Sequence, residues 1–404
     1  MLNKPLIKLQ GEKYLIAILI VSPLLNFLFG LSIDLYAPAI PLIATHFHDT
    51  LFHVDHGISL LMFGFAIGCI VIGPMMDDYG RRKVIIGTLF IFIIASTIAI
   101  FSQSTYQINS LRFIQGIAIA ASSIGSRTLI FDNFTGKRYA IGMIYTSFAY
   151  ALGPILAPAI GVRLLQHYGW SSIFVIYASI GFILLILAIL FIGDTSYTIK
   201  KYSIISSAKE YLTIIRNKIF FFGAVILGIT LYELMSFTLL DQYFFIQALE
   251  LNPIIYGDSA FFLGGSYLIG IIINRICVNY FSLKNLCAFA MIILGLAIIF
   301  YITISLLFVT SVITLVLPVL FIVFSAGFIF PNVLAQTLKI YPKKINTASA
   351  AQSLLFISVC AIVSAIVDHL KLHTQIDLAI LYLCLGSIQI FIFFRYFIKS
   401  YEQI

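Results

Sequence analysis

Long apolar runs separated by short polar breaks dominate the chain. They cover 14–42, 54–76, 84–101, 107–130, 138–164, 171–193, 219–246, 254–281, 286–308, 311–338, 346–368 and 375–398. Each is near or above the about 20 residues that a helix needs to cross a bilayer. The longest polar-rich break, Asp194 to Lys218, divides them six and six. The pattern therefore predicts an all-α membrane protein with twelve transmembrane helices in two pseudo-symmetric six-helix bundles. The N-terminal bundle covers 1–193, a cytoplasmic linker 194–218 and the C-terminal bundle 219–404. A short internal repeat agrees: Gly73 and Asp77 recur as Gly270 and Asn274, both offset by 197 residues. Two related halves around a midplane site suit a transporter.

Composition strengthens this picture. The 404 residues are 61% hydrophobic and only 10% charged, against about 45–50% apolar and about 25% charged in soluble domains. A soluble enzyme or a receptor with a large soluble head is excluded. Met1 to Lys13 is short and basic and leads into a first membrane helix, with no small-residue cleavage pattern. Five Cys lie in apolar segments without paired spacing and read as core residues. The net charge of +8 lies in loops, so no nucleic acid is expected. With the N-terminus in the cytoplasm, 20 of the 24 Lys and Arg fall inside. Arg163 and Lys371 fall outside, and Arg112 and Arg127 within a helix. That bias sets both termini in the cytoplasm. Richness in Ile, Phe, Tyr, Lys and Asn suggests an AT-rich bacterial genome, hence a bacterial inner membrane.

The loop after the second run reads Gly73-Pro-Met-Met-Asp77-Asp78-Tyr-Gly80-Arg81-Arg82-Lys83. Glycine permits a tight turn, the basic cluster marks the cytoplasmic side, and Asp77 can hold a neighbouring helix N-terminus through its dipole. From composition alone an ordinary positive-inside turn is the alternative. With its neighbours, however, the loop resembles the signature of the major facilitator superfamily. Ser32-Ile-Asp34-Leu-Tyr36-Ala-Pro38-Ala-Ile-Pro41 is similar to the first helix of the Bcr/CflA-type drug-resistance exporters. Arg112-Phe-Ile-Gln115-Gly116, followed by Arg127 and Asp132, resembles their fourth helix. Gly153-Pro154-Ile-Leu-Ala157-Pro158-Ala-Ile-Gly161 resembles the antiporter fifth-helix motif, and Gly327-Phe-Ile-Phe-Pro331-Asn332 the tenth helix. Two departures stand out: Ser171 follows Gly169-Trp170 where the family often has Arg, and Ala157-Pro158 replaces a Gly pair. The resemblance implies a drug/proton antiporter with a cytoplasmic gate of Gly73, Asp77, Gly80, Arg81, Arg82 and Asp132, closed by the start of span 11 near Asn346 and Thr347. Gly153, Pro154, Pro158 and Gly161 would set the curvature of helix 5.

Three buried charges carry the chemistry. An ionised side chain at a helix centre costs roughly 2.5 to 3.5 kcal/mol and normally faces a cavity or a partner. At about 1.5 Å per residue, Asp34 lies roughly 25 to 30 Å from the cytoplasmic end of its span and Glu233 roughly 20 Å from the start of its own. Arg112 lies about 8 Å in from the other side. In a core of about 30 Å all three fall in the outer half. Ser22, Asn26, Gly30, Asp34 and Pro38 repeat at i+4. Arg112, Gln115, Ser122 and Ser126 keep helical spacing, as do Thr230, Glu233, Ser236 and Asp241. A carboxylate reached alternately from two aqueous faces can load and release a proton. Asp34 is expected as the main proton carrier, Glu233 as a second carrier or substrate contact, and Arg112 as the modulating cation. A fixed Asp34–Arg112 salt bridge is the structural alternative. Among the 37 Phe, 22 Tyr and 1 Trp, Tyr36, Tyr150, Tyr232, Phe237 and Tyr267, with Asn26 and Gln115, are expected to line a substrate cavity.

All seven His fall on the expected outer face, four of them within residues 46 to 56 beside Asp49 and Asp55. Their spacing allows a metal or pH response, but with no second ligand cluster a solvated surface is the reading and no metal is expected. The linker cations Lys200, Lys201, Lys209, Arg216 and Lys218 suit either an amphipathic helix on anionic lipid or a solvated tether. An enzyme is not expected: no span holds a paired-His helix or a Ser-Lys dyad. No ring of like residues suggests a channel. The expected function is proton-coupled export of small amphipathic molecules, with no cofactor beyond the proton gradient. The expected partners are a small-molecule substrate and the lipid bilayer, and the chain is expected to be a monomer. Transport of a polar metabolite or carboxylate siderophore in either direction is one alternative. A non-transporting membrane sensor or scaffold is another.

Overall fold

The computed structural model describes residues 11–193, 204–236, 253–370, 372 and 374–398. Among the described residues there is no strand, and ten helical stretches are long and apolar enough to cross a membrane. The order is α1 (Glu12–Asp34), α2 (Ile40–Phe47), α3 (Leu51–Tyr79), α4 (Arg81–Ile100), α5 (Thr105–Asn133), α6 (Gly136–Tyr168) and α7 (Ser172–Phe191). There follow α8 (Ile204–Arg216), α9 (Lys218–Ser236), α10 (Pro253–Cys277), α11 (Leu283–Leu307), α12 (Val312–Leu338), α13 (Ile345–Leu370) and α14 (Gln375–Ile392). Several helices start where a hydroxyl side chain accepts a free first-turn N–H: Ser104, Ser282, Ser311 and Thr374 each bond the N–H three residues on. Gly80, at φ +92°, makes the one-residue turn from α3 to α4.

The first apolar run is not one helix. Pro38 has no N–H to offer the Asp34 carbonyl, and Pro41 none for Ala37. The chain therefore leaves α1 at Asp34 and passes through a 3₁₀ turn, Ala37–Ala39, before α2. Asp34 thus sits at a helix break rather than inside a span.

Two compact units emerge. The first takes the described residues up to Ile214 together with Tyr341–Ala351; the second takes Ile215–Ile340 and the described residues from Gln352 onward. In the first, glycines bring α3 and α5 close: a Cβ at Gly64 would strike the Phe113 carbonyl, and one at Gly116 the Leu61 carbonyl. In the second, Gly270 and Gly327 do the same for α10 and α12, where a Cβ on Gly327 would lie 2.8 Å from the Tyr267 carbonyl oxygen. Close backbone approach gives van der Waals packing where hydrocarbon surroundings supply no hydrophobic drive. Phe63, Phe90, Ile98 and Phe182 point outward, whereas Ser22, Gln115, Ser126 and Thr230 are fully buried. This is the arrangement of a chain solvated by lipid.

Candidate functional site

Arg112 occupies the interior of the first unit with no exposed surface. One guanidinium nitrogen donates to the Ser32 carbonyl of α1 at 2.6 Å and another to Gln115 Oε1 at 3.1 Å. Gln115 in turn donates to Ser96 on α4 at 2.9 Å. The guanidinium carbon lies 4.5 Å from the Tyr36 ring centroid and 5.6 Å from that of Tyr177 on α7. Tyr177 also donates to the Ser32 carbonyl at 3.2 Å. Two aromatic faces and two acceptors offset the cost of burying the cation, but its Nε has no partner. The hydrogen bonds go to Ser32 and Gln115 rather than to the half-buried Asp34, two residues further along α1.

The i+4 stripe of α1 is a helix interface. Ser22 donates to the Ser126 carbonyl, and Asn26 to the Thr146 carbonyl of α6 at 2.9 Å. A Cβ on Gly30 would come within 2.6 Å of the Tyr150 carbonyl oxygen, and one on Gly153 within 2.7 Å of the Gly30 carbonyl carbon. Gly161 faces Pro38 in the same way, at 3.0 Å. The fifth-helix glycines therefore fit α6 against α1. The side chains of Pro154 and Pro158 lie outside the described residues. The Tyr150 ring stacks on Phe29 at 5.4 Å.

In the second unit Glu233 is almost fully buried, and neither carboxylate oxygen has a hydrogen-bond partner. Gln389 on α14, whose amide nitrogen is also unpartnered, is the donor facing it. One turn to either side, Thr230 donates to Gln389 Oε1 at 3.4 Å and Ser236 shares a 2.5 Å hydrogen bond with the Tyr382 hydroxyl. Tyr232 is buried, and Tyr267 on α10 is buried with an unpartnered hydroxyl. Phe237 and Asp241 lie outside the described residues. Sequence reasoning missed Tyr177, Gln389 and Tyr382. Gln389 carried a signal, as the one amide in the apolar run 378–394; a Tyr among Ile and Phe carries none.

At the α3–α4 loop, Asp77 accepts three hydrogen bonds: from Asn346 Nδ2 at 2.7 Å, the Thr347 N–H at 3.0 Å and the Thr347 hydroxyl at 2.6 Å. Arg81 pairs with Asp132 and donates to Asn346 Oδ1 at 3.1 Å. Arg82 donates to the Ile192 carbonyl and, at 2.8 Å, to that of Ile189. A Cβ on Gly73 would lie 2.6 Å from that of Ala350 and 3.0 Å from the Tyr211 hydroxyl. The linker's helix α8 is docked in this unit: Tyr211 is buried and donates to the Cys69 carbonyl at 2.7 Å, and Glu210 pairs with Lys344. Lys200 and Lys201 lie outside the described residues.

Between α2 and α3, His53 Nδ1 meets Asp49 Oδ1 at 2.7 Å. That bond, with one from the Thr50 N–H, holds the Asp49 carboxyl below the usual carboxylate range. His56 bonds the Phe52 carbonyl, and His46 packs beside Trp170. His373 and the side chain of His369 lie outside the described residues.

Stacked spanning helices with charged groups sealed in two helical units define a multi-pass membrane transporter. The profile of the Major Facilitator Superfamily matches residues 24–365, and the chain belongs to that family. It is a transporter and not an enzyme, and it resembles the family's Bcr/CflA-type members. It is 26% identical over 352 residues to an uncharacterized transporter of Rickettsia felis, covering 82% of this chain and 85% of that one. It is 29% identical over 230 residues to the multidrug resistance protein MdtM of Escherichia coli K12, covering 56% and 55%. With the bicyclomycin resistance protein homolog of Haemophilus influenzae it shares 24% over 187 residues, covering 46% and 47%. The chain thus spans about half the length of these last two relatives. The fold matches the transporter FucP in its outward conformation with a TM-score of 0.74 and 14% identity, over 93% of this chain and 98% of that one.

Proposed function

We propose that this transporter is a proton-coupled exporter of small amphipathic molecules, working by alternating access as a monomer in a bacterial inner membrane. In this reading twelve helices form two pseudo-symmetric six-helix bundles, 1–193 and 219–404, joined by the cytoplasmic linker 194–218, with both termini cytoplasmic. The proton gradient is the only energy source and no cofactor is needed. The supporting observation is the Asp34–Arg112 arrangement: a half-buried carboxyl at a helix break, beside a sealed cation that grips the same helix end through the Ser32 carbonyl. Gain or loss of a proton at Asp34 changes the charge next to that grip and so couples titration to the position of α1. Glu233 serves as the second carrier or as a contact for a cationic substrate. Tyr36, Tyr150, Tyr232, Phe237 and Tyr267, with Asn26 and Gln115, form the wall met by substrate during the cycle. Gly73, Asp77, Gly80, Arg81, Arg82 and Asp132 serve as the cytoplasmic gate.

Reconstitution into liposomes with an imposed pH gradient tests this. Cationic dyes should move against the gradient, and Asp34→Asn should abolish the coupled component. Coupled transport that survives Asp34→Asn overturns the proton assignment. A gradient-driven signal with polycarboxylate siderophores instead of dyes overturns the substrate class.

A further inference from the structure

Helices α10, α11 and α12 of the second unit enclose a groove of about 810 Å³. Its walls are the rings of Phe261, Phe262, Phe300, Phe321 and Phe324, and its floor includes Gly265. Phe261, Phe262 and Phe321 are exposed, so the groove is continuous with the outward-facing apolar surface of the spanning helices. It offers an occupant no hydrogen bond: the Ser266 hydroxyl is spent on the Leu320 carbonyl at 2.7 Å. Binding sites for drug-like molecules place a few polar groups to orient the ligand. Their absence here points to a featureless hydrocarbon.

The dimensions choose among hydrocarbons. From Phe261 to Ile269 the groove runs about 12 Å along α10, at about 1.5 Å per residue. Half of a hydrocarbon core of about 30 Å is about 15 Å. The lining covers the second half of α11 and the first half of α12, so the groove runs from mid-membrane toward the 308–311 connection. We infer that it binds one acyl chain of a phospholipid from the leaflet on that side. Leaving the bilayer for the groove brings no hydrophobic gain, because lipid tails are as apolar as Leu. The chain is held by dispersion contacts with the rings, and the abundance of lipid fills the site by mass action. Gly265 makes this possible: a Cβ there would meet no atom within 4 Å, so any larger residue at this position projects into the groove.

The test uses the full-length protein in liposomes doped with a phospholipid bearing a diazirine midway along one acyl chain. After photolysis, adducts are mapped by mass spectrometry. They should be several-fold denser in 261–269, 293–300 and 317–324 than on the outward face of α7, where Val175, Phe182 and Ile183 are exposed. Gly265→Leu and Gly265→Trp should reduce groove labelling to the α7 level with the thermal midpoint unchanged, while Gly265→Ala should retain most of it. Equal density on the groove and α7 overturns the inference, as does labelling insensitive to all three substitutions. Preferential capture of a planar aromatic probe, with no acyl enrichment, assigns the groove to another ligand and overturns it too.

Discussion

Asp77 and Asn274 stand at matching places in the two units, 197 residues apart, yet they solve different problems. Asp77 accepts hydrogen bonds from Asn346 and Thr347 in the first turn of α13. The N–H groups there have no partner within their own helix, and the dipole favours a negative charge. Asn274 stays between α10 and α12: it accepts from Asn332 Nδ2 at 3.0 Å and donates toward Asn332 Oδ1 at 3.4 Å and the Gly327 carbonyl at 3.5 Å. A carboxylate only accepts, whereas an amide both accepts and donates. The acid therefore suits a helix N-terminus, and the amide suits a clasp that must also satisfy a carbonyl. Retention of glycine one turn earlier in both, at Gly73 and Gly270, shows what the two places share: close backbone approach.

The comparison breaks most sharply at Asn274→Asp. The new carboxylate would be sealed without exposure and would face two acceptors, the Gly327 carbonyl and Asn332 Oδ1. An uncompensated buried charge costs about 3 kcal/mol or more. The expected result is a marked fall in thermal midpoint and in yield of folded protein. A midpoint equal to wild type would mean that the clasp is not what holds this place.

Asp77→Asn makes the reciprocal exchange and should cost less. The amide keeps one acceptor and its size but loses the charge opposite the α13 N-terminus and one of the two oxygens that now accept. About 1 to 2 kcal/mol is expected, from the dipole and one charge-assisted hydrogen bond. The two changes share no partner, so their costs should add in the double variant. A double variant more stable than the sum would show the places to be coupled.

Much of this was legible from the chain. Helix positions followed from apolar runs, because a lipid-solvated helix must be apolar over its full length. The Asp77 loop and the start of span 11 carried enough motif to be matched to each other. The break after Asp34 was written in Pro38 and Pro41, yet a hydropathy run is blind to a missing N–H. Arg112 was visible as a buried cation, but its grip on Ser32 and its place between Tyr36 and Tyr177 depend on which helices pack together, which periodicity within one helix does not encode. Glu233 and Gln389 show the same limit, since each was an isolated polar position until the fold set α9 against α14. The docked linker helix was the least legible part. Its amphipathic pattern fitted lipid, solvent and protein alike, and Tyr211 decided among them.

Tyr211→Phe carries the smallest expected effect and sharpens what anchors the first unit's loop. The Tyr211 ring is buried and its hydroxyl donates to the Cys69 carbonyl at 2.7 Å. In α3 that carbonyl can also accept from the Gly73 N–H, four residues on. Loss of the hydroxyl thus leaves no orphaned acceptor, and the cost should stay near about 1 kcal/mol, the net worth of an ordinary hydrogen bond. Tyr211→Leu also loses the ring that fills the space beside Gly73 and should cost more. Limited proteolysis of the linker, read alongside the thermal midpoint, separates the two contributions. Faster cleavage in Tyr211→Phe assigns the docking to the hydrogen bond; faster cleavage in Tyr211→Leu alone assigns it to ring burial.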